Sequence, residues 1–178
     1  MDNEEVFQTE MLEHINAVSL LLYTVRQELS SRACTHDRSK LTYPEREIFV
    51  EYTPKLKGVT YGSDKYKMYL AEMKRALDHH YLVNAHHPEH CENGIAGMTL
   101  VDLLEMLCDW VAATKRHADG SLVKSLEHNA ERFSISPDLQ QILINTAKEF
   151  GWLTRYDSGV KVFTKESPNG AIPKNAGD

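Results

Sequence analysis

EVFQTEMLEHINAVSLLLYTVRQELSSR, residues 5–32, decides the fold class. Val6, Met11, Leu12, Ile15, Val18, Leu22, Val25 and Leu29 recur at three- and four-residue spacing, the period of one helix face. His14 lies among these apolar positions, beside Met11, Ile15 and Val18, and not on the charged side. Its longest apolar stretch, Val18 to Val25, is far short of the roughly 20 residues a membrane span requires.

The same period continues downstream. Residues 33–41 (ACTHDRSKL) read as a helix end or a short helix. Pro44 opens another helix, with Thr42 as its N-cap and Glu45 and Glu47 in its first turn. Residues 53–64, carrying Pro54, Gly58 and Gly62, read as a loop. A helix from Ser63 or Asp64 runs through YKMYLAEMKRALDHHYLVNAHH to an end at Pro88, because a residue before proline is turned away from helical backbone. After a second loop at 89–98, Thr99 and Asp102 form a capping box with Asp in place of Glu, opening a helix to about His117. Asp119-Gly120 marks a turn, residues 121–132 read as a polar helix, and Ser136-Pro137-Asp138 starts a last one that ends near Gly151. WLTRYDSGVKVFT, residues 152–164, has the alternation and turn residues of a hairpin. The expectation is an all-α helical domain over residues 1–165 with a small C-terminal β-hairpin, followed by a flexible tail at 166–178.

Composition limits the function. The chain has 178 residues, 42% hydrophobic and 26% charged, which suits a globular domain and excludes collagen or low-complexity disorder. A net charge of −6 argues against a binder of duplex nucleic acid, which would carry a basic face. Three widely spaced cysteines with no CxxC pair point to a reducing, cytoplasmic setting. The acidic start, MDNEEVFQTEMLEH, lacks the basic segment and apolar run of a signal peptide. The sequence therefore predicts neither a membrane nor a nucleic-acid partner, and leaves assembly into a homo-oligomer open.

Nine histidines stand out, five of them within residues 79–90. Metal-capable residues occur in separate segments: His14, His36-Asp37, His79-His80, His86-His87, His90, Asp102, Glu105 and Asp109. A helical bundle can project such residues into one pocket. Adjacent His36 and Asp37 can ligate one ion if the backbone turns both inward, and mixed nitrogen and oxygen donors suit Zn, Mn, Fe, Ni or Co. On a continuous helix His80 and His87, seven residues apart, share one face. His79 and His86 form the same pairing one position earlier. Asp109 sits among Leu107, Cys108, Trp110 and Val111, where a carboxylate is costly to bury without a cation. Asp102 reads instead as part of a solvent-facing stripe. Lys124, Glu127 or His128, and Arg132 recur at helical intervals on one side of their helix. With Asn129, Lys124 and Arg132 could serve as donors for phosphate oxygens, or belong to an ordinary solvated face.

The order His14, His36-Asp37 with Lys40, the histidine clusters and Asp109 resembles the HD-domain metal-dependent phosphohydrolase superfamily. HDRSKL is similar to its HD-x-x-K-type motif. More closely, HDRSKL, YGSDKYK, LDHHYLVNAHHPEH, MTLVDLLEMLCDW and NAERFSIS resemble an uncharacterised phage and bacterial family known only as a domain of unknown function.

The resemblance implies an HD-like bundle holding one or two divalent ions. It implies His14, His36, Asp37 and Asp109 around the first, and His80 and His87 for a second ion or the phosphate. The histidine surplus leaves open the choice between His79 and His80, and among His86, His87 and His90. The implied reaction is hydrolysis of a nucleotide or related phosphate ester by metal-activated water. Asp37 would bridge the ions, Lys40 would stabilise phosphoryl charge together with Lys124 and Arg132, and His86 would protonate the leaving oxygen. Two other readings use nearly the same residues: an HD-type diiron oxygenase, and a catalytically silent metal-stabilised binding module.

Overall fold

The computed structural model describes residues 2–60, 63–116, 120–154 and 157. Among these it contains seven α-helices and three short 3-10 turns, with no strand. The protein is all-α in its described part. Most of the segment expected as a hairpin, 152–164, and the tail after it lie outside the described residues.

Helix α1 spans Asn3–Thr35 and starts with a capping box, in which Asp2 and Glu5 each bond the other's backbone N–H. No residue of α1 is buried. Helix α2 (Glu45–Lys57) runs through Pro54, where the sequence predicts a loop. Proline near the end of a helix removes a single backbone bond, and here the helix continues for one more turn. The helix expected from residue 63 to 87 is two helices, α3 (Asp64–Glu72) and α4 (Lys74–Val83), with Met73 between them. Helix α4 stops well before Pro88. Asn84 leaves the helical region, and its side-chain amide caps the His80 carbonyl at 2.8 Å. His86 and His87 therefore lie outside the helix, and their relation to His80 is not one of helical spacing.

Helix α5 (Leu100–Thr114) opens on the expected capping box: Thr99 N–H donates to Asp102 Oδ2 at 2.7 Å, and Asp102 N–H to Thr99 Oγ1 at 3.2 Å. Helices α6 (Leu122–Phe133) and α7 (Pro137–Glu149) start on Ser121 and Ser136, whose hydroxyls accept from Lys124 and Leu139 N–H.

The chain divides into two compact units, residues 1–109 and 110–178. In the first, α2 packs against α3 and α4, and Met73, Ala76, Leu103, Met106 and Leu107 are buried. Glu45, His80 and His86 are buried with them, a concentration of polar groups that ordinary core packing does not produce. In the second, α6 packs on α7, and Leu122, Val123, Leu126, Leu143, Ile144 and Ala147 are buried. Here α6 is amphipathic and not polar all round. Among the described residues no helix is long and apolar enough to cross a membrane. Cys34, Cys91 and Cys108 are free thiols.

Candidate metal centre

The centre begins where α1 ends. His36 caps the helix, and Asp37 takes left-handed backbone (φ 58°, ψ 11°). That region is unusual for a residue with a Cβ, though less so for Asp. The reversal lets neighbouring side chains face one point. His36 Nε2 lies 3.6 Å from Asp37 Oδ2 and 3.7 Å from Asp109 Oδ1 on α5. Lys40, on the 3-10 turn Arg38–Leu41, donates to Asp37 Oδ2 at 2.6 Å.

The other carboxylate oxygen of Asp37 faces imidazoles. His80 Nε2 is 3.2 Å and His86 Nε2 3.5 Å from Oδ1, and His87 Nε2 is 2.9 Å from His80 Nε2. His80 comes from the last turn of α4, while His86 and His87 come from the loop that follows. Ring centroids separated by 4.4 Å (His36 and His86), 4.2 Å (His86 and His87) and 4.8 Å (His80 and His87) define one imidazole cluster.

Behind the imidazoles stand two glutamates. Glu45, the first residue of α2, is fully buried. It accepts from His79 Nδ1 at 2.8 Å and from His80 Nδ1 at 2.9 Å, and Ser39 Oγ donates to it at 3.1 Å. Glu105 Oε1 accepts from His36 Nδ1 at 2.9 Å and lies 3.4 Å from His86 Nδ1. Arg32 holds Glu105 in place, donating to its Oε2 at 3.0 Å and to Asp102 Oδ1 at 2.6 Å. A carboxylate on Nδ1 orients the ring and turns Nε2 toward the centre, the arrangement found behind metal-bound histidine. Sequence reasoning missed this layer. Glu105 was visible one turn before Asp109 on the same face, but Glu45 carried no signal beyond that of a first-turn acid. Asp102 is buried and ion-paired, and not the solvent-facing residue the sequence predicts.

Charge follows from this geometry. The neighbouring Asp109 carboxylate, set against burial and joined by Glu105, raises the His36 pKa to about 9. Burial pushes Asp37 upward, but the adjacent His80 and the hydrogen bond from Lys40 outweigh it and hold the group below the usual carboxylate range. Asp109 is held low in the same way by His36. Burial, reinforced by neighbouring His86 and His80, lowers His87 to about 3 and keeps its imidazole neutral. His86 is lowered by burial and by His36.

Two donor groups with ligand atoms mutually within 4.8 Å share Asp37: Asp37, His80, His86 and His87, and His36, Asp37 and Asp109. A third, His36, His86 and Glu105, falls within the same limit. Its short contacts use the Nδ1 atoms, so it orients the rings. Asp37 Oδ1 and His86 Nε2 are buried without a hydrogen-bond partner. Buried polar atoms are seldom left so. A cation between them would satisfy both, so the donor set fits a divalent metal, and mixed imidazole and carboxylate donors suit a first-row ion.

Of the residues singled out from sequence, His36, Asp37, Lys40, His80, His86, His87 and Asp109 come together. His14 does not. It is exposed on α1, 22 residues before His36, and the rise of a continuous helix sets it on the order of 30 Å away. His79 bonds Glu45 from outside the donor groups, and His90 bonds the Leu82 carbonyl. Lys124, Asn129 and Arg132 lie on α6 in the second unit, where Asn129 Nδ2 donates to the Ser125 carbonyl.

Fold and donor set together define a chain that is all-helical in its described residues and carries a histidine-rich candidate metal centre. The chain belongs to the family described as Family of unknown function (DUF5662), whose profile matches residues 3–149. No curated protein and no solved structure matches it.

Proposed function

We propose that this chain is a metal-dependent phosphohydrolase of the HD type, acting on a nucleotide or a related phosphate ester. One observation carries the reading: Asp37 offers its two carboxylate oxygens to two donor groups, one built on His36 and Asp109 and the other on His80, His86 and His87. The chain order of these residues supports the HD-type assignment. His14 is left out of the ligand set.

The centre takes one or two ions of the Mn, Fe, Co, Ni or Zn class. When bound, such ions acidify water and neutralise phosphoryl oxygens. The residues of the chain do the rest. Asp37 and Asp109 supply the negative charge that a cation requires, already ionised because His36, His80 and Lys40 hold their pKa values down. Glu45 and Glu105 keep the imidazole rings aimed before any ligand arrives. Lys40, on the rim of the centre and bonded to Asp37, is the point charge that binds a phosphoryl oxygen. His86, kept neutral by burial and with Nε2 turned to Asp37, serves in this reading as a metal ligand and not as the acid that protonates the leaving oxygen. These contacts come from the first unit alone.

The test is metal loading followed by a panel of nucleotides, cyclic nucleotides and sugar phosphates. Metal-dependent phosphate release that vanishes in Asp37→Ala is the expected result. A loaded protein that releases no phosphate from any of them overturns the reading. The imidazole-rich side of the centre favours a second reading, a diiron oxygenase, since three histidines and one carboxylate also suit iron. Two irons per chain, a visible charge-transfer band and O₂ uptake without phosphate release would select it. Bound metal with no activity lost on Asp37→Ala would select a silent module.

A further inference from the structure

Helix α1 leaves its apolar stripe uncovered. Met11, Ile15, Val18, Leu22 and Val25 are exposed, Leu22 to 65%. With Leu29 they alternate at exact four- and three-residue steps, the a and d positions of a coiled-coil seam. In the same register the next two positions are Arg32 and His36, which bond Asp102 and Glu105. The seam thus runs from Met11 to Leu29 and ends where the helix joins its own unit.

We propose that a second copy of this chain covers the stripe, its α1 antiparallel to the first, about a two-fold axis level with Leu20. The seam is complementary to its own reverse: Met11 meets Leu29, Ile15 meets Val25 and Val18 meets Leu22. Every layer pairs an a position with a d position, as antiparallel packing requires, and the contact is the same patch on both copies. Flanking positions agree. Leu21 meets its symmetry mate on one side of the seam, with His14 opposite Glu28, and Ser19 meets its mate on the other.

Charge selects the orientation. Asp2, Glu4, Glu5, Glu10 and Glu13 crowd the first third of the helix, which has no basic residue. A parallel pair would align these acids and both helix dipoles, whereas the antiparallel pair sets them beside the half that carries Arg26. Area is sufficient. An exposed aliphatic side chain offers roughly 60–120 Å² of apolar surface. The stripe with Phe7, Leu12 and Leu21 therefore presents on the order of 500 Å² per copy, the size of the largest and often functional patch on a monomer. Two copies bury on the order of 1,000 Å², the range where specific interfaces begin.

Sedimentation equilibrium of the full chain tests this, with twice the chain mass of 20.3 kDa expected at micromolar concentration. Hydrogen exchange on the same unmutated protein should show protection of residues 11–29 that grows with concentration. Leu22→Glu, at a position exposed in the single chain, should weaken association at least a hundredfold. A mixture of Leu12→Cys and Arg26→Cys chains should be joined at those two positions by a short bis-maleimide. A monomer at 100 µM overturns the proposal, whether its α1 is protected or not. So does a dimer with unprotected α1, a dimer indifferent to Leu22→Glu, or crosslinking of residue 12 only to residue 12.

Discussion

Glu45 Oε2 stands 2.9 Å from Nδ1 of His80, and both side chains are almost wholly buried, at 0% and 2% exposure. The carboxylate can only accept, so Nδ1 of His80 carries a proton, and its Nε2 faces Asp37. The same relation links Glu105 to His36.

Replacing Glu45 by Gln removes the charge while keeping the shape. Metal affinity should fall about 10- to 100-fold, as for other carboxylates behind a metal-bound histidine. Titration of the apoprotein with Zn or Mn measures it. Unchanged affinity would reduce Glu45 to a packing role.

Metal stoichiometry separates the donor groups. Asp37→Ala should remove nearly all bound metal, because both groups share that residue. Asp109→Ala should lose the ion next to His36 and keep the one among His80, His86 and His87. His14→Ala should leave the metal stoichiometry unchanged. Asp102→Ala, which breaks a helix cap and the Arg32 pair without removing a donor atom, should lower stability and leave the stoichiometry intact. Elemental analysis of each purified variant is the readout.

Lys40→Met should retain metal and lose activity. Removing one preorganised donor aimed at developing negative charge costs about 10²–10³ in rate, and a similar loss is expected here. Rates and metal content measured on one preparation distinguish this from collapse of the centre.

Asp157 gives a pH prediction away from the metal. Burial pushes its carboxyl upward, but bonds from Ser121, Val123 and Thr154 hold it lower. A depressed folded-state pKa stabilises above the unfolded value of about 3.9, and that contribution disappears as pH falls through the folded-state value. Asp157→Ala should therefore cost roughly 1–3 kcal/mol at pH 7. The gap from the parent should close as the pH drops below about 4, as read by urea unfolding at each pH.

Several helix starts were legible in the sequence because they rest on local physics, whereas the end of α2 and the break at Met73 were not. The stripe of α1, the Thr99–Asp102 box and Ser136-Pro137 each act within one or two turns, and their residues carry the signal by themselves. The His36-Asp37 dipeptide was legible for the same reason, since its inward turn depends on one residue's backbone at φ 58°. Periodicity failed where closeness comes from chain reversal. His80 and His87 meet because the chain turns back after Asn84, although the sequence predicted one helix through both. His14 shares its helix face with apolar residues, but a face says nothing about what covers it. Glu45 reads as an ordinary first-turn acid, and only the packing of α2 against α4 puts it behind two histidines. Local propensity set the elements of this protein. The meeting of Asp37, four imidazoles and Asp109 depends on contacts between residues tens of positions apart, which only the folded chain brings together.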